Sequence, residues 1–199
     1  MLWVILGIMG AVIAIFLLNF YRNPEREIPA GNNIVSPADG KVISIIDTSR
    51  SIVNVNKGFI GRIKTTSKDV AKDCYVVSIF MSPLDVHYNR APIKGKILST
   101  RHEKGKFFRA YDLEKSFENE KNEILMEGKI KIKVIQIAGF LARRIICFVR
   151  KGQAVGKGER VGMITLGSQA TIIMPRSVEL MIKIGDKVKA GSSILAGIK

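Results

Sequence analysis

The pattern of apolar and polar positions divides the chain into an N-terminal block, a short connector and a long alternating body. From Leu2 to Phe20 every side chain is apolar except Asn19, and the run carries no charge. At about 1.5 Å per residue it reaches roughly across the hydrocarbon core of a bilayer, so it predicts one membrane-spanning helix. No basic stretch precedes the run, no small-x-small site follows it, and Arg22 and Arg26 flank its C-terminal end. That pattern predicts a retained anchor rather than a signal peptide, with the rest of the chain on the cytoplasmic side of the cell membrane. Asn23 to Gly31 is bounded by Pro and Gly and reads as a linker. The expected organisation is an anchor over 1–21, a linker over 22–35 and a body over 36–199.

In the body the period shortens. Runs rich in Val, Ile and other large apolar residues predict short strands at Lys41–Ile46, Ser51–Val55, Tyr75–Met81, Lys96–Ser99, Ile124–Met126, Lys129–Ile137, Arg144–Val149, Val161–Leu166 and Ala170–Pro175. Residues 99–127 are the most charged stretch, with mixed signs, and read as a solvated excursion or lid. Two patterns recur: Pro37-Ala38-Asp39-Gly40-Lys41-Val42 with Pro92-Ile93-Lys94-Gly95-Lys96-Ile97, and Gly152–Gly158 with Gly185–Gly191. The second resembles the turns of lipoyl- and biotinyl-type (hammerhead) domains. The expected fold is therefore mainly β, a duplicated barrel-sandwich-like domain behind a transmembrane helix. A carrier hairpin with a modifiable lysine, Met-Lys-Met or Asp-Lys-Ala, does not occur.

Composition narrows the chemistry. There are 32 Lys and Arg against 17 Asp and Glu, a formal charge of +15, which favours an anionic partner. Nucleic acid is disfavoured, because the basic residues are not interleaved with aromatics and an anchor is present. Cys74 and Cys147 lack CxxC spacing and a nearby histidine, so they predict buried free thiols and no metal site. His87 and His102 are the two histidines, which makes the list of imidazole bases short.

His87 lies in a Pro-bounded loop, Pro83-Leu84-Asp85-Val86-His87-Tyr88-Asn89-Arg90-Ala91-Pro92, among groups suited to chemistry. Asp39 precedes Gly40, where it serves as a turn former or as a carboxylate that orients an imidazole. Gly167-Ser168 joins two strand-like runs and has two readings. It is a bulge, or it is a site where Ser168 Oγ attacks a carbonyl that Gly167 leaves sterically open.

Taken together and in order, these stretches resemble the phosphatidylserine decarboxylase family in its short form. Ser36–Gly40 is similar to the family's Asp motif and Asp85–Pro92 to its His motif. Gly105-Lys106-Phe107 and Asn119–Asn122 are similar to a mid-chain signature, and Gly167-Ser168 to the self-cleavage site. Gln169 stands where the long form has Thr, and Arg90 stands where it has a second histidine.

The resemblance implies self-cleavage into chains 1–167 and 168–199, which stay together as a heterodimer. Ser168 becomes a pyruvoyl cofactor that forms a Schiff base with the substrate, and no metal takes part. His87 would act as base and acid, Asp39 as its orienting partner and Arg90 as an auxiliary. The implied substrate is an anionic phosphoserine lipid, phosphatidylserine or the ether lipid archaetidylserine, decarboxylated at the membrane. Arg22, Arg26, Arg143 and Arg144 are candidates for facing the bilayer. A homo-oligomer is left open, and the alternative is a tethered barrel-sandwich module that binds a partner without catalysis.

Overall fold

In the computed structural model, residues 1–49, 66–105, 108, 112–116, 118–139, 144–165 and 168–198 are described. The expected strand Ser51–Val55 and residues Lys106, Phe107, Arg143, Leu166 and Gly167 lie outside them. The N-terminal run is one helix, α1 (Leu2–Phe20), long and apolar enough to cross a membrane. The body is mainly β.

Among the described residues the strands run β1 (Asn33–Val35), β2 (Gly40–Asp47), β3 (Cys74–Met81), β4 (Tyr88–Arg90), β5 (Gly95–Glu103), β6 (Lys121–Glu127) and β7 (Lys131–Ala138). They continue as β8 (Ile145–Cys147), β9 (Ala154–Val155), β10 (Arg160–Ile164), β11 (Ser168–Pro175), β12 (Glu179–Leu180), β13 (Lys187–Val188) and β14 (Ile194–Gly197). An eight-stranded sheet in the order β13-β2-β3-β11-β7-β6-β5-β9 forms the platform, and two three-stranded sheets, β1-β14-β12 and β4-β10-β8, complete the body.

Strand β11 lies mid-sheet between β3 and β7, buried on both faces from Ser168 to Met174. Alternation puts Ala170, Ile172 and Met174 into the main core, with Val77, Ile79, Ile124, Met126 and Ile132. Ile173 points the other way, into a smaller cluster with Val70, Cys74, Val76, Ile135 and Ile137. Ser168 stands on the main-core face by the same alternation, two residues before Ala170.

The repeated sequence patterns pair with one another. Gly40 lies opposite Val188 and Gly95 opposite Val155. Each turn then makes matching backbone bonds: Val42 N–H to Asp186 and Ile97 N–H to Gln153, then Gly185 N–H to Val42 and Gly152 N–H to Ile97. Gly152 and Gly185 take φ +89° and +100°, and Gly158 and Gly191 take +80° and +78°, left-handed values that favour glycine. The two halves thus repeat one hairpin-and-strand unit.

The charged stretch 99–127 departs from expectation. Most of its two ends is sheet, with β5 running to Glu103 and β6 starting at Lys121. The charges sit on one alternating face, where Lys121 reaches Glu103 at 3.0 Å and Arg101 reaches Glu103 at 3.0 Å. Asn122, Ile124 and Met126 take the buried face. Mixed charge at period two marks a solvated strand face, so these ends are sheet rather than excursion.

The linker is fastened to the body. Arg26 Nη2 clasps both Asp39 oxygens at 2.8 and 3.0 Å, with both side chains about nine-tenths buried. Arg90 sends Nη1 to the Gly158 carbonyl at 2.8 Å, and Nη2 to Asn23 Oδ1 at 2.8 Å and the Pro24 carbonyl at 3.2 Å. Lys157 Nζ donates to the Gly31 carbonyl at 3.0 Å and to Asn33 Oδ1 at 2.8 Å. Arg26 is therefore engaged with the body instead of facing a bilayer, whereas Arg144 is exposed.

Candidate active site

Ser168 opens β11 in the large sheet, and His87 lies in the loop just before β4 of the β4-β10-β8 sheet. β4 pairs with β10, and the Ile164 N–H donates to the His87 carbonyl at 3.3 Å, which sets the histidine beside the chain that leads to Ser168. Ser168 is buried, opposite Met81 on β3 and Ala138 on β7. Its hydroxyl donates to Met81 Sδ at 3.4 Å, a weak acceptor that leaves the oxygen lone pairs uncommitted. Met81 Sδ also receives Asn89 Nδ2 at 3.8 Å, so the His motif and the Ser168 strand meet at this thioether.

Asn89 belongs to a buried amide chain. Gln136 Nε2 donates to Asn89 Oδ1 at 2.9 Å, and Asn122 Nδ2 donates to Gln136 Oε1 at 2.8 Å. A Cβ on Gly162 would come within 2.5 Å of Gln136 Nε2, so this glycine leaves the Gln136 side chain its path. On the opposite face Gln169 Nε2 donates to Thr171 Oγ1 at 2.9 Å, and Ser116 Oγ donates to Gln169 Oε1 at 3.3 Å.

His87 is fully buried. Its Nδ1 lies 2.9 Å from the Asp85 carbonyl, which only accepts, so the neutral ring carries its proton on Nδ1. Nε2 is buried with no hydrogen-bond partner among the described residues. Burial pushes the imidazole pKa down to about 4. The bond to the Asp85 carbonyl and the Asp85 charge oppose the shift, and Arg22 reinforces it. At neutral pH the ring is a free base presenting Nε2.

This has a stability consequence with a definite sign. The folded pKa lies below the unfolded value of 6.5, so between pH 6.5 and about 4 the unfolded chain binds a proton that folded His87 refuses. Acidification through that window is expected to lower stability, and His87→Gln to remove that part of the slope. Thermal denaturation of both chains at half-unit pH steps checks it, and parallel slopes would contradict it.

The expected orientation of His87 by Asp39 is not what the structure shows. Asp39 is occupied by Arg26 and by the Ala190 N–H, at 2.8 Å to Oδ1, while His87 Nδ1 bonds the Asp85 carbonyl and Nε2 has no partner among the described residues. A main-chain carbonyl two residues before the ring does that work. Asp39 reaches the site indirectly, through its own turn: the Pro37 carbonyl accepts the Arg90 N–H at 2.9 Å and Asn89 Nδ2 at 3.3 Å. Arg90 likewise straps the linker down, and burial lowers its pKa. His102 is half-exposed and pairs with Glu120 at 3.3 Å.

Cys74 is a buried free thiol with its pKa raised to about 11 by burial, and Cys147 is a half-buried free thiol. Among the described residues no group of three His, Cys, Asp or Glu is placed to hold a metal.

A β-sheet body thus holds a buried serine and a buried neutral imidazole beside the end of an apolar helix long enough to cross a membrane. Comparison with known proteins makes the assignment specific. The family described as phosphatidylserine decarboxylase matches residues 13–196, and the chain belongs to that family, decarboxylases of phosphatidylserine-type lipids. A protein of Methanocaldococcus jannaschii, provisionally named an archaetidylserine decarboxylase proenzyme, is 42% identical over 188 residues, covering 92% of this chain and 90% of that one. A phosphatidylserine decarboxylase proenzyme of Chlorobium phaeobacteroides is 41% identical over 188 residues, covering 94% and 81%. A third, from Geotalea uraniireducens, is 36% identical over 196 residues, covering 97% and 84%. Among solved structures, glucose permease IIA of Mycoplasma capricolum aligns at a TM-score of 0.42 and 16% identity, covering 84% of this chain and 96% of that one, too loose a likeness to argue from.

Proposed function

We propose that the chain is a self-maturing decarboxylase of a serine-headed membrane phospholipid, with a pyruvoyl group made from Ser168. The observation that carries this reading is a buried serine hydroxyl held by the Met81 thioether, which the His motif also reaches through Asn89, together with a buried imidazole whose Nε2 has no partner among the described residues. In this reading residues 1–21 anchor the protein, 22–35 link, and 36–199 form a duplicated barrel-sandwich body on the cytoplasmic side. The paired hairpin repeats support the duplication.

Maturation uses the chain's own residues. His87 Nε2 takes the Ser168 hydroxyl proton, and Oγ adds to the Gly167 carbonyl carbon. The peptide C–N bond then breaks, giving an ester with a free amine on residue 168. Loss of the α-proton and cleavage of the Cβ–O bond release chain 1–167 as a carboxylate and leave dehydroalanine. Tautomerisation, addition of water and loss of ammonia leave the pyruvoyl terminus of chain 168–199.

The site fits such a group: it arises from Ser168 itself, which is buried, and the Asn89 amide, bonded in turn to Gln136, reaches the same Met81 thioether. Once formed, it supplies an electrophilic carbonyl and a sink for the electron pair left when CO2 departs. His87 then returns a proton to the α-carbon. The substrate is the diacyl serine lipid or its ether-linked analogue, since the proposed chemistry acts on the serine headgroup that both share. The +15 charge draws the body to anionic lipid at about 1 kcal/mol per basic residue near the surface.

Release of CO2 from carboxyl-labelled serine lipid in mixed micelles tests the reading. Turnover of both diacyl and diether forms is expected. Activity on the diacyl lipid alone would overturn the headgroup-only part, and no release from either by cleaved protein would overturn the whole.

A further inference from the structure

The last residue of the membrane helix is inside the site. Phe20 is 2% exposed, whereas Ile15 and Leu18, earlier on the same helix, are 67% and 76% exposed. The Phe20 ring lies 4.2 Å from the His87 ring, centroid to centroid, tilted by 37°. Phe16 stacks behind it at 5.9 Å, and Tyr21 meets its edge at 5.2 Å.

One turn holds both partners. Ser82 and Asp85 close it, with the Asp85 N–H on the Ser82 carbonyl at 2.9 Å and the Ser82 N–H on Asp85 Oδ2 at 2.7 Å. Its Leu84 carbonyl accepts Arg22 Nη2 at 2.7 Å, and the next carbonyl, of Asp85, accepts His87 Nδ1 at 2.9 Å. Arg22 Nη1 also folds back to the Asn19 carbonyl at 2.6 Å, closing the helix end. The helix terminus and the imidazole therefore hang from consecutive peptide carbonyls.

We propose that Phe20 is a positioning residue for His87, so that the membrane helix forms one wall of the reaction site and its seating keeps the imidazole dry and aimed. The inference rests on His87 being the base of the reaction proposed above. A helix that merely tethers acts by raising local concentration and needs no contact with the chemistry. Here the contact is aromatic on aromatic, and it covers a ring whose free base depends on exclusion of water.

The charged groups facing the ring are Arg22 from the helix end, which disfavours imidazolium, and Asp85 from the turn, which favours it. From β10 the contact is the Ile164 main chain. Phe20→Ala changes neither charge and opens the ring to water, so the imidazole moves back toward its ordinary pKa.

The test uses the full-length chain in micelles with 15N-labelled histidine. Two histidines give two pairs of ring-nitrogen signals, and the His87 pair is the one lost in His87→Gln. The wild-type ring is expected to stay neutral with its proton on Nδ1 to about pH 5. Phe20→Ala should titrate at least about one pH unit higher, and Phe20→Leu, which keeps apolar cover, within about half a unit of wild type.

With full return to the ordinary value, maturation of Phe20→Ala falls about tenfold relative to wild type at pH 5.5, and the two converge above pH 8. An alanine variant that titrates with wild type overturns the inference, and so do alanine and leucine variants displaced equally. The ring titration is read whether or not the chain cleaves, so failure of the maturation reading and failure of the Phe20 inference are told apart.

Discussion

Ser168→Ala should leave a single intact chain of 199 residues, where the wild type yields two chains divided after Gly167. The effect is all or none, because no other atom at position 168 can form the ester from which the chain breaks. The substitution is mild in the fold. Ser168 faces Met81 and Ala138 across the sheet, and its hydroxyl loses a weak bond to a thioether, costing about 1 kcal/mol or less. An uncleaved variant therefore reports missing chemistry rather than a missing fold, and an unchanged melting temperature secures that distinction. Intact mass under denaturing conditions reads both chains, with the smaller wild-type fragment carrying a pyruvoyl terminus in place of serine. Lipid decarboxylation should vanish with cleavage. A wild-type chain that stays whole at neutral pH would overturn the assignment and return Gly167-Ser168 to the role of a bulge.

Periodicity made the large features of this chain legible. The uncharged run over Leu2–Phe20 is one helix, and the Val- and Ile-rich runs within the described residues are strands with edges moved by a few residues. The repeated Gly-x-x-Val-x-x-Gly turns became pairing partners of the repeated Pro-x-x-Gly-Lys strands, because glycines at left-handed φ fix each hairpin against its strand. At Gly40 the fit is tighter still, since a Cβ there would run into the Phe80 carbonyl. Local sequence suffices for such elements, as their geometry is set within a few residues.

Long-range partnerships were not legible. The family resemblance implies that Asp39 orients His87, yet the carboxylate answers to Arg26, thirteen residues upstream in the linker, and to a backbone amide. The agent that fixes the imidazole is a carbonyl of Asp85, and backbone groups carry no residue-type signal. Gln136 did leave a trace, as a polar residue within the apolar run of β7, but its bond to Asn89 depends on a glycine in another strand. Phe20 left no trace, being one apolar residue among many in an apolar run. Its distinction comes from where the helix ends.

His87→Gln should slow maturation by roughly 10²- to 10⁴-fold at pH 7.5, the range for loss of a positioned general base. Glutamine still offers an amide N–H to the Asp85 carbonyl and fills much of the same space, but it has no lone pair able to take the Ser168 proton. The outcome should differ in kind from Ser168→Ala. Here the nucleophile remains and water or background base can serve, so the same two chains accumulate slowly over hours to days. That slow product answers a question the wild type cannot, since a single imidazole has been assigned to both maturation and turnover. After prolonged incubation the matured fraction of His87→Gln can be assayed per pyruvoyl site. If His87 also returns the proton to the α-carbon, each matured site should remain slow on lipid, again by two orders of magnitude or more. Wild-type turnover per matured site would confine His87 to cleavage and pass the proton return to another group. Cleavage at the wild-type rate would remove His87 from the mechanism, leaving its free Nε2 and burial without a chemical role.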